Sequence, residues 1–302
     1  MKQISAILAA FVIAAVIPAC AGSPSGGGPT NMDEALVGPE EGPEEFQVYL
    51  CFGQSNMEGV NNTTNHFIPE EYRNYANDRF QVLASVDMPA IGREKEKWYT
   101  ASPPLSRGDR GLCPADYFGR TMVKRIANPN VKVGVIVVAV SGAAIDIFDK
   151  VNYETYINGL DDGTKGWMHW SYDIHDGKPY ARMVELAKIA RQDGGVIKGI
   201  LLHQGESGGG KPNWGANVKR IYDNLLSDLG MEPNSIPLLA GQPLSINKYL
   251  IDGLPKISPQ FHVISSKGCQ PLGPGDEDHF SPRGMEELGR RYANKMLELL
   301  YP

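Results

Sequence analysis

The chain has 302 residues, 42% hydrophobic and 21% charged, with 34 Gly and 22 Pro, which excludes a collagenous, a wholly disordered or a multi-span membrane protein. Its 29 basic residues against 35 acidic ones give a formal charge of -6, so no broad positive field is available to neutralise a nucleic-acid backbone. The length admits one or two domains, and a single α/β domain accommodates it.

Lys2, an uncharged apolar run over residues 4–17 and then Ile17-Pro18-Ala19-Cys20 read as a secretory signal over residues 1–19. The run is shorter than the roughly 20 residues a spanning helix needs. Cys20 stands where a bacterial lipoprotein carries its acylated cysteine, and plain cleavage after Ala19 or Ala21 is the alternative. The expectation is an exported chain that meets a membrane only through a lipid on Cys20. Residues 20–45 contain Ser-Pro-Ser-Gly-Gly-Gly-Pro and Gly-Pro-Glu-Glu-Gly-Pro-Glu-Glu, which cannot bury enough apolar area to offset their ordering entropy, so they are expected to form a tether. The folded domain is then residues 46–302.

Within that domain, runs rich in β-branched residues at 46–52, 131–140, 196–203, 236–240 and 261–265 predict about five buried strands. Segments with helical spacing at 117–127, 180–192, 218–229 and 283–300 fall between and after them. In the second, Met183, Leu186, Ala187 and Ala190 make one apolar face for packing on a sheet. Strand and helix in alternation imply right-handed crossovers and a parallel sheet covered on both faces. Ligands then bind beyond the carboxyl ends of the strands.

Polar clusters stand at those exits. Gly53-Gln54-Ser55-Asn56-Met57 follows the first strand, where a serine can present its hydroxyl above the sheet as a nucleophile or, equally, cap a helix. Ser141-Gly142-Ala143-Ala144 follows the second, and the Gly142 N–H can serve as an anion donor or simply belong to a tight turn. His203-Gln204-Gly205-Glu206-Ser207 ends the third, its polar side chains costly there unless paired. The Gln204 amide suits a developing oxyanion, and His203 with Glu206 suits a stiffening pair. Asp276-Glu277-Asp278-His279-Phe280 precedes the last helix on an expected loop, where Asp276 can turn back to fix the tautomer of His279 and Asp278 is a less favourable competitor. The chain order Ser, Asp, His is that of hydrolase triads.

Taken together, these blocks resemble those of SGNH hydrolases, within them the branch holding sialate O-acetylesterases and family 6 carbohydrate esterases (acetylxylan esterases). The resemblance runs from about Val48 to Tyr292 and includes Gly111-Leu112-Cys113-Pro114. It implies a flavodoxin-like three-layer α/β/α sandwich that removes acetyl groups from sugars with no metal or other cofactor. It assigns Ser55 as nucleophile, His279 as base and acid, and Asp276 as the residue orienting His279. The oxyanion donors fall on the N–H of Ser55, the N–H of Gly142 and the side chain of Gln204, with Gln54, Asn56, His203 and Glu206 in support. Ser141 and Ala143 stand where the family usually has Gly and Thr, and Leu202 replaces a common Trp.

The expected substrate is an O-acetylated glycan, acetylated xylan or a related plant polysaccharide. A sialate O-acetylesterase, an esterase for another acyl group and a glycan-binding lipoprotein without chemistry are the alternatives. Residues 152–178 gather Tyr153, Tyr156, Trp167, Trp170 and Tyr172, which suit either a sugar face or packing of a long insert. Of the cysteines beyond Cys20, Cys51, Cys113 and Cys269 allow at most one bridge; a Cys113–Cys269 pair and three buried thiols are both open.

Overall fold

The computed structural model describes residues 35–60, 68–207 and 213–302. The expected signal over 1–19 and the expected lipidation site Cys20 lie outside the described residues.

In chain order the elements are β1 (Glu45–Gly53), α1 (Ser55–Glu58), α2 (Glu70–Arg73), β2 (Phe80–Leu83), β3 (Trp98–Thr100), α3 (Pro114–Arg125) and β4 (Val131–Ala139). They continue with α4 (Tyr153–Asn158), α5 (Asp162–Tyr172), α6 (Pro179–Gln192), β5 (Gly195–His203), α7 (Trp214–Asp228) and β6 (Leu238–Gly241). The last are α8 (Lys248–Asp252), β7 (Phe261–Ile264), β8 (Pro271–Gly273), β9 (Asp276–Phe280) and α9 (Pro282–Leu300).

The main sheet has seven strands in the order β3-β2-β4-β1-β5-β6-β7 rather than the five expected. All neighbours are parallel except β2 and β3, which pair antiparallel at one edge. The two additional strands are only four and three residues long, too short to carry a period. The central strand β1 shows why the sheet is covered on both faces. Val48, Leu50 and Phe52 point into one apolar cluster with Met183 of α6 and Val218 of α7, whereas Tyr49 and Cys51 point into another with Phe118 of α3 and Leu288 of α9. Successive side chains of a strand face opposite ways, so a continuous apolar run serves two layers at once. The result is the α/β/α sandwich.

The chain leaves β1 toward β4 on one side and later returns to place β5 on the other, so the carboxyl end of β1 is a switch point. Gly53 is required there, because a Cβ at this position would lie 2.0 Å from the carbonyl oxygen of His203. The turn is held from both flanks: Gln54 N–H donates to His203 O at 3.1 Å and Val140 N–H donates to Gly53 O at 3.0 Å.

Within the expected tether, residues from 35 onward lie against the body. Val37 bridges Ile126, and its N–H donates to Arg125 O at 2.8 Å. The side chain of Arg125 in turn reaches Ala35 O at 2.9 Å. Cys51, Cys113 and Cys269 are free and buried, and burial pushes each thiol upward in pKa, so the candidate Cys113–Cys269 bridge is not formed.

Candidate active site

Ser55 is the first residue of α1, directly beyond the exit of β1, and Gly59 ends that short helix in the left-handed conformation. A residue at this point has its N–H free of any intrahelical acceptor. Ser55 Oγ lies 2.8 Å from His279 Nε2, across 224 residues of sequence. On the other side of the ring, His279 Nδ1 lies 2.8 and 2.9 Å from the two oxygens of Asp276. With Nδ1 facing a carboxylate, the ring proton belongs there, which leaves the Nε2 lone pair to accept from the Ser55 hydroxyl. Asp278, the competitor, instead accepts from Ser245 Oγ at 2.5 Å.

Asp276 and His279 sit not on a loop, as expected, but in β9, the second strand of a hairpin with β8. Residues three apart on a regular strand face opposite sides. Here Gly273 pairs with Asp276 and Pro271 with Phe280, so four steps along β9 are matched by two along β8. The surplus residues bulge and bend β9, bringing both side chains to one side. Acidic residues at 276, 277 and 278 hide such a strand from any reading of periodicity.

Asn56 locks this strand to the start of α1, beside Ser55. Its Nδ2 donates to Asp278 O at 2.9 Å and its Oδ1 accepts from Phe280 N–H at 3.1 Å, so it grips the backbone on both sides of His279. The remaining Nδ2 hydrogen goes to Glu206 Oε1 at 2.8 Å. Glu206 also lies 3.2 Å from His203 Nε2, which is the stiffening pair expected. Burial raises the Glu206 carboxyl, but His203 and Asn56 outweigh it and hold the group below its ordinary range. The His203 ring stands edge-on to Phe280 at 5.4 Å, adding an apolar tie to the same strand. Gln54 is buried, and its Oε1 accepts from Ser207 N–H at 3.2 Å.

Gly142 lies in a turn closed by Ala143 N–H to Val140 O at 3.3 Å, with φ of +69°. The tip of the Trp167 ring covers it so closely that a Cβ on Gly142 would come within 2.0 Å. Gln204 differs from expectation. Its amide nitrogen donates to Ala143 O at 3.0 Å and Ser207 O at 3.4 Å, while its oxygen accepts from Trp214 Nε1 at 2.8 Å. Both amide hydrogens are therefore directed at carbonyl oxygens, and the side chain braces the 140–143 turn instead of offering an open donor.

Sequence reasoning missed a further group. Glu58, on α1, is buried with Arg107 Nε at 3.2 Å and Arg110 Nε at 3.1 Å. It also accepts from Ser171 Oγ at 2.8 Å and from Ser141 Oγ. Arg107 and Arg110 stack on Trp170 with 4.5 and 5.5 Å to the ring centroid. The one available signal was its position, a single helical turn from Ser55. The 152–178 insert divides by residue type: Tyr153, Tyr156 and Tyr172 pack against the core, whereas the Trp167 and Trp170 rings are about half exposed at 48% and 47%.

The family model described as carbohydrate esterase, sialic acid-specific acetylesterase, matches residues 45–298. Among solved structures, a protein from Arabidopsis thaliana is 20% identical, with 83% of this chain and 98% of that one covered and a TM-score of 0.62. NanS is 15% identical over 85% of this chain and 98% of that one, with a TM-score of 0.57. A structure titled a novel carbohydrate acetylesterase from Xanthomonas citri is 15% identical over 82% of this chain and 54% of that one, with a TM-score of 0.51. At these identities the structural likenesses establish the fold; the family match extends over almost the whole described domain.

Proposed function

The chain belongs to the sialic acid-specific acetylesterase family of carbohydrate esterases, and from that premise we propose that it removes O-acetyl groups from a glycan through an acetyl-enzyme on Ser55. One observation carries the residue assignment: the unbroken line from Asp276 through His279 to Ser55, every link at 2.8 Å. Ser55 Oγ attacks the acetyl carbonyl carbon while His279 Nε2 takes its proton. The C–O bond to the sugar then breaks, and the same proton passes from Nε2 to the departing sugar hydroxyl. Water repeats the cycle: His279 accepts a proton from it, the hydroxide oxygen bonds the acetyl carbon, acetate leaves and Ser55 recovers its hydrogen. Asp276 keeps the ring oriented and stabilises the imidazolium formed in each half. The N–H groups of Ser55 and Gly142 serve as donors to the oxyanion, with Gln204 bracing the turn that carries the second.

We take the substrate to be a neutral acetylated polysaccharide of the xylan type. Support comes from the two arginines that border Trp170: both are paired with Glu58, and Arg107 also with Asp109 at 3.1 Å. A sugar lacking its own carboxylate suits such a neutralised rim. Trp167, resting over Gly142, gives the apolar face of a sugar ring a surface beside the reacting ester. The family description favours the second reading, an O-acetylated sialic acid. The N-terminal sequence supports export, with a lipid on Cys20 as the membrane attachment. Acetate release from acetylated xylan, O-acetylated sialic acid and a small aryl acetate, measured for the wild type and Ser55→Ala, tests this. Release from xylan that vanishes in the variant supports the reading. Turnover restricted to the sialate selects the second reading, and equal activity of the variant removes the mechanism.

A further inference from the structure

Glu58 is a carboxylate with 1% of its side chain exposed, on the same short helix as Ser55 and one turn beyond it. Taking an ion out of water costs several kcal/mol, and a buried ionic cluster is seldom more stable than apolar packing of the same volume. Its partners therefore need a reason besides stability, and they converge on one neighbour. Ser141 Oγ donates to one Glu58 oxygen, while Ser171 Oγ donates to the other at 2.8 Å. The same Ser171 hydroxyl oxygen accepts from the Ser141 N–H at 3.2 Å. Ser141 is thus tied at both its side chain and its main chain, directly or through Ser171, to a residue of the nucleophile's helix. It immediately precedes Gly142, whose other face is covered by Trp167.

We propose that Glu58 is a positioning residue for ester hydrolysis: acting through the Ser141 hydroxyl, it fixes the 140–143 turn so that the Gly142 N–H is held in register with Ser55. The inference rests on the Gly142 role proposed above and accounts for a departure noted in the sequence. A serine stands at 141 where the resembled family usually has glycine, and its hydroxyl is the group that Glu58 grips. Arg107 pairs with the carboxylate oxygen that Ser171 reaches and Arg110 with the one that Ser141 reaches; burial pushes the carboxyl above its ordinary range, opposed by Arg107 and by these two hydroxyls. A donor aimed at the developing oxyanion assists only if it is in place before the reaction. Small displacements of positioned groups cost on the order of a hundredfold in rate.

The test is a double-mutant cycle on the full chain with a small aryl acetate, using Glu58→Gln, Ser141→Ala and the combination, with Ser55→Ala as control. Each single change is expected to lower kcat by about 10- to 100-fold with KM within about twofold of wild type. The double variant is expected to be no slower than the slower single one, because both remove the same link. Thermal unfolding at the assay temperature gives the folded fraction, to which kcat is normalised. A lowered melting temperature with normalised kcat within about threefold of wild type overturns the proposal, as do losses that multiply in the double variant. Should Glu58→Gln fail to fold, Ser141→Ala alone decides, since it removes only a hydroxyl: an unchanged kcat overturns the proposal. An inactive Ser55→Ala beside unaffected Glu58→Gln and Ser141→Ala contradicts this inference alone, whereas an active Ser55→Ala overturns the underlying reading and this inference together.

Discussion

The division of labour among Ser55, His279 and Asp276 rests on one proton having a single sensible home. Because Asp276 presents both oxygens to Nδ1 at 2.8 and 2.9 Å, the hydrogen sits between them and the free lone pair faces the serine. Replacement of Asp276 by Asn reverses that preference, since the amide can donate to Nδ1 and leave the proton on Nε2. Steady-state assays of Asp276→Asn are expected to show kcat down by about a hundred- to ten-thousand-fold with little change in melting temperature. Asn56 is a different case, being wholly buried and bonded to Glu206, to Asp278 O and to Phe280 N–H. Truncation to Ala leaves buried groups unpaired at a cost of about 1–3 kcal/mol for each. Chemical denaturation of Asn56→Ala is therefore expected to show a loss of about 2–4 kcal/mol, with kcat falling as well because His279 loses its backbone grip. Ser55 and His279, which the fold brings together, each stand in a local motif that the sequence displays. Glu58 could not, because a glutamate after Gly-Gln-Ser-Asn-Met has the composition of a solvated helix end, and only the folded chain brings Ser141, Ser171, Arg107 and Arg110 around it.

Among the elements, α5 is held on its inner face and open on its outer one. Met168 and Ser171 are buried, Asp161 caps the N-terminus through Thr164 N–H at 2.9 Å, and Trp167 and Trp170 are half-exposed, one resting on Gly142 and the other on Arg107 and Arg110. Two aromatic rings gain roughly 0.5–1.5 kcal/mol beyond area burial, and a sugar face on Trp167 is taken on the same scale. Trp167→Ala is accordingly expected to raise KM for the polysaccharide about 3- to 10-fold while leaving KM for a small alkyl acetate within about twofold, measured side by side. The long strands β1, β4 and β5 were legible because each carries a long apolar run serving two layers, interrupted only toward its start by Gln47, Lys132 or Lys198, and the amphipathic α6 because its apolar residues recur at helical steps. The hairpin β8–β9 was not, since its strand character comes from pairing and a bulge and its residues are acidic. The short strands β2 and β3 escaped for lack of length, and α4 and α5 because aromatics mixed with Gly and Asp carry no clear period. What the sequence conveyed about the site was the identity of residues at strand exits; what it withheld was the second ring of contacts, which depends on loops meeting from separate parts of the chain.

For the molecule as a whole, pH acts through buried groups away from the triad. His175 is buried, its Nε2 facing Ala139 O at 3.3 Å at the end of β4, and burial lowers its pKa to about 4. The unfolded chain binds that proton below about pH 6.5 and the folded chain only below about 4, so stability from this group is present above 6.5 and lost as pH falls to 4. The loss amounts to about 3 kcal/mol. Asp116 works in the opposite sense, because burial pushes its carboxyl up, so the difference between proteins isolates the histidine. Unfolding free energies of wild type and His175→Gln are expected to converge as pH drops from 7 to 4, and a constant gap contradicts the assignment. The central claim spans the largest scale: α1 at one end of the domain and the hairpin before α9 at the other meet to make one reacting centre. The measurement that tests it most directly is mass-spectrometric mapping of the protein after inactivation by a serine-directed fluorophosphonate. A single adduct on the peptide bearing Ser55, absent in Ser55→Ala and formed far more slowly in His279→Ala, is the predicted result; inactivation with the adduct on another residue, or at an undiminished rate without His279, would contradict it.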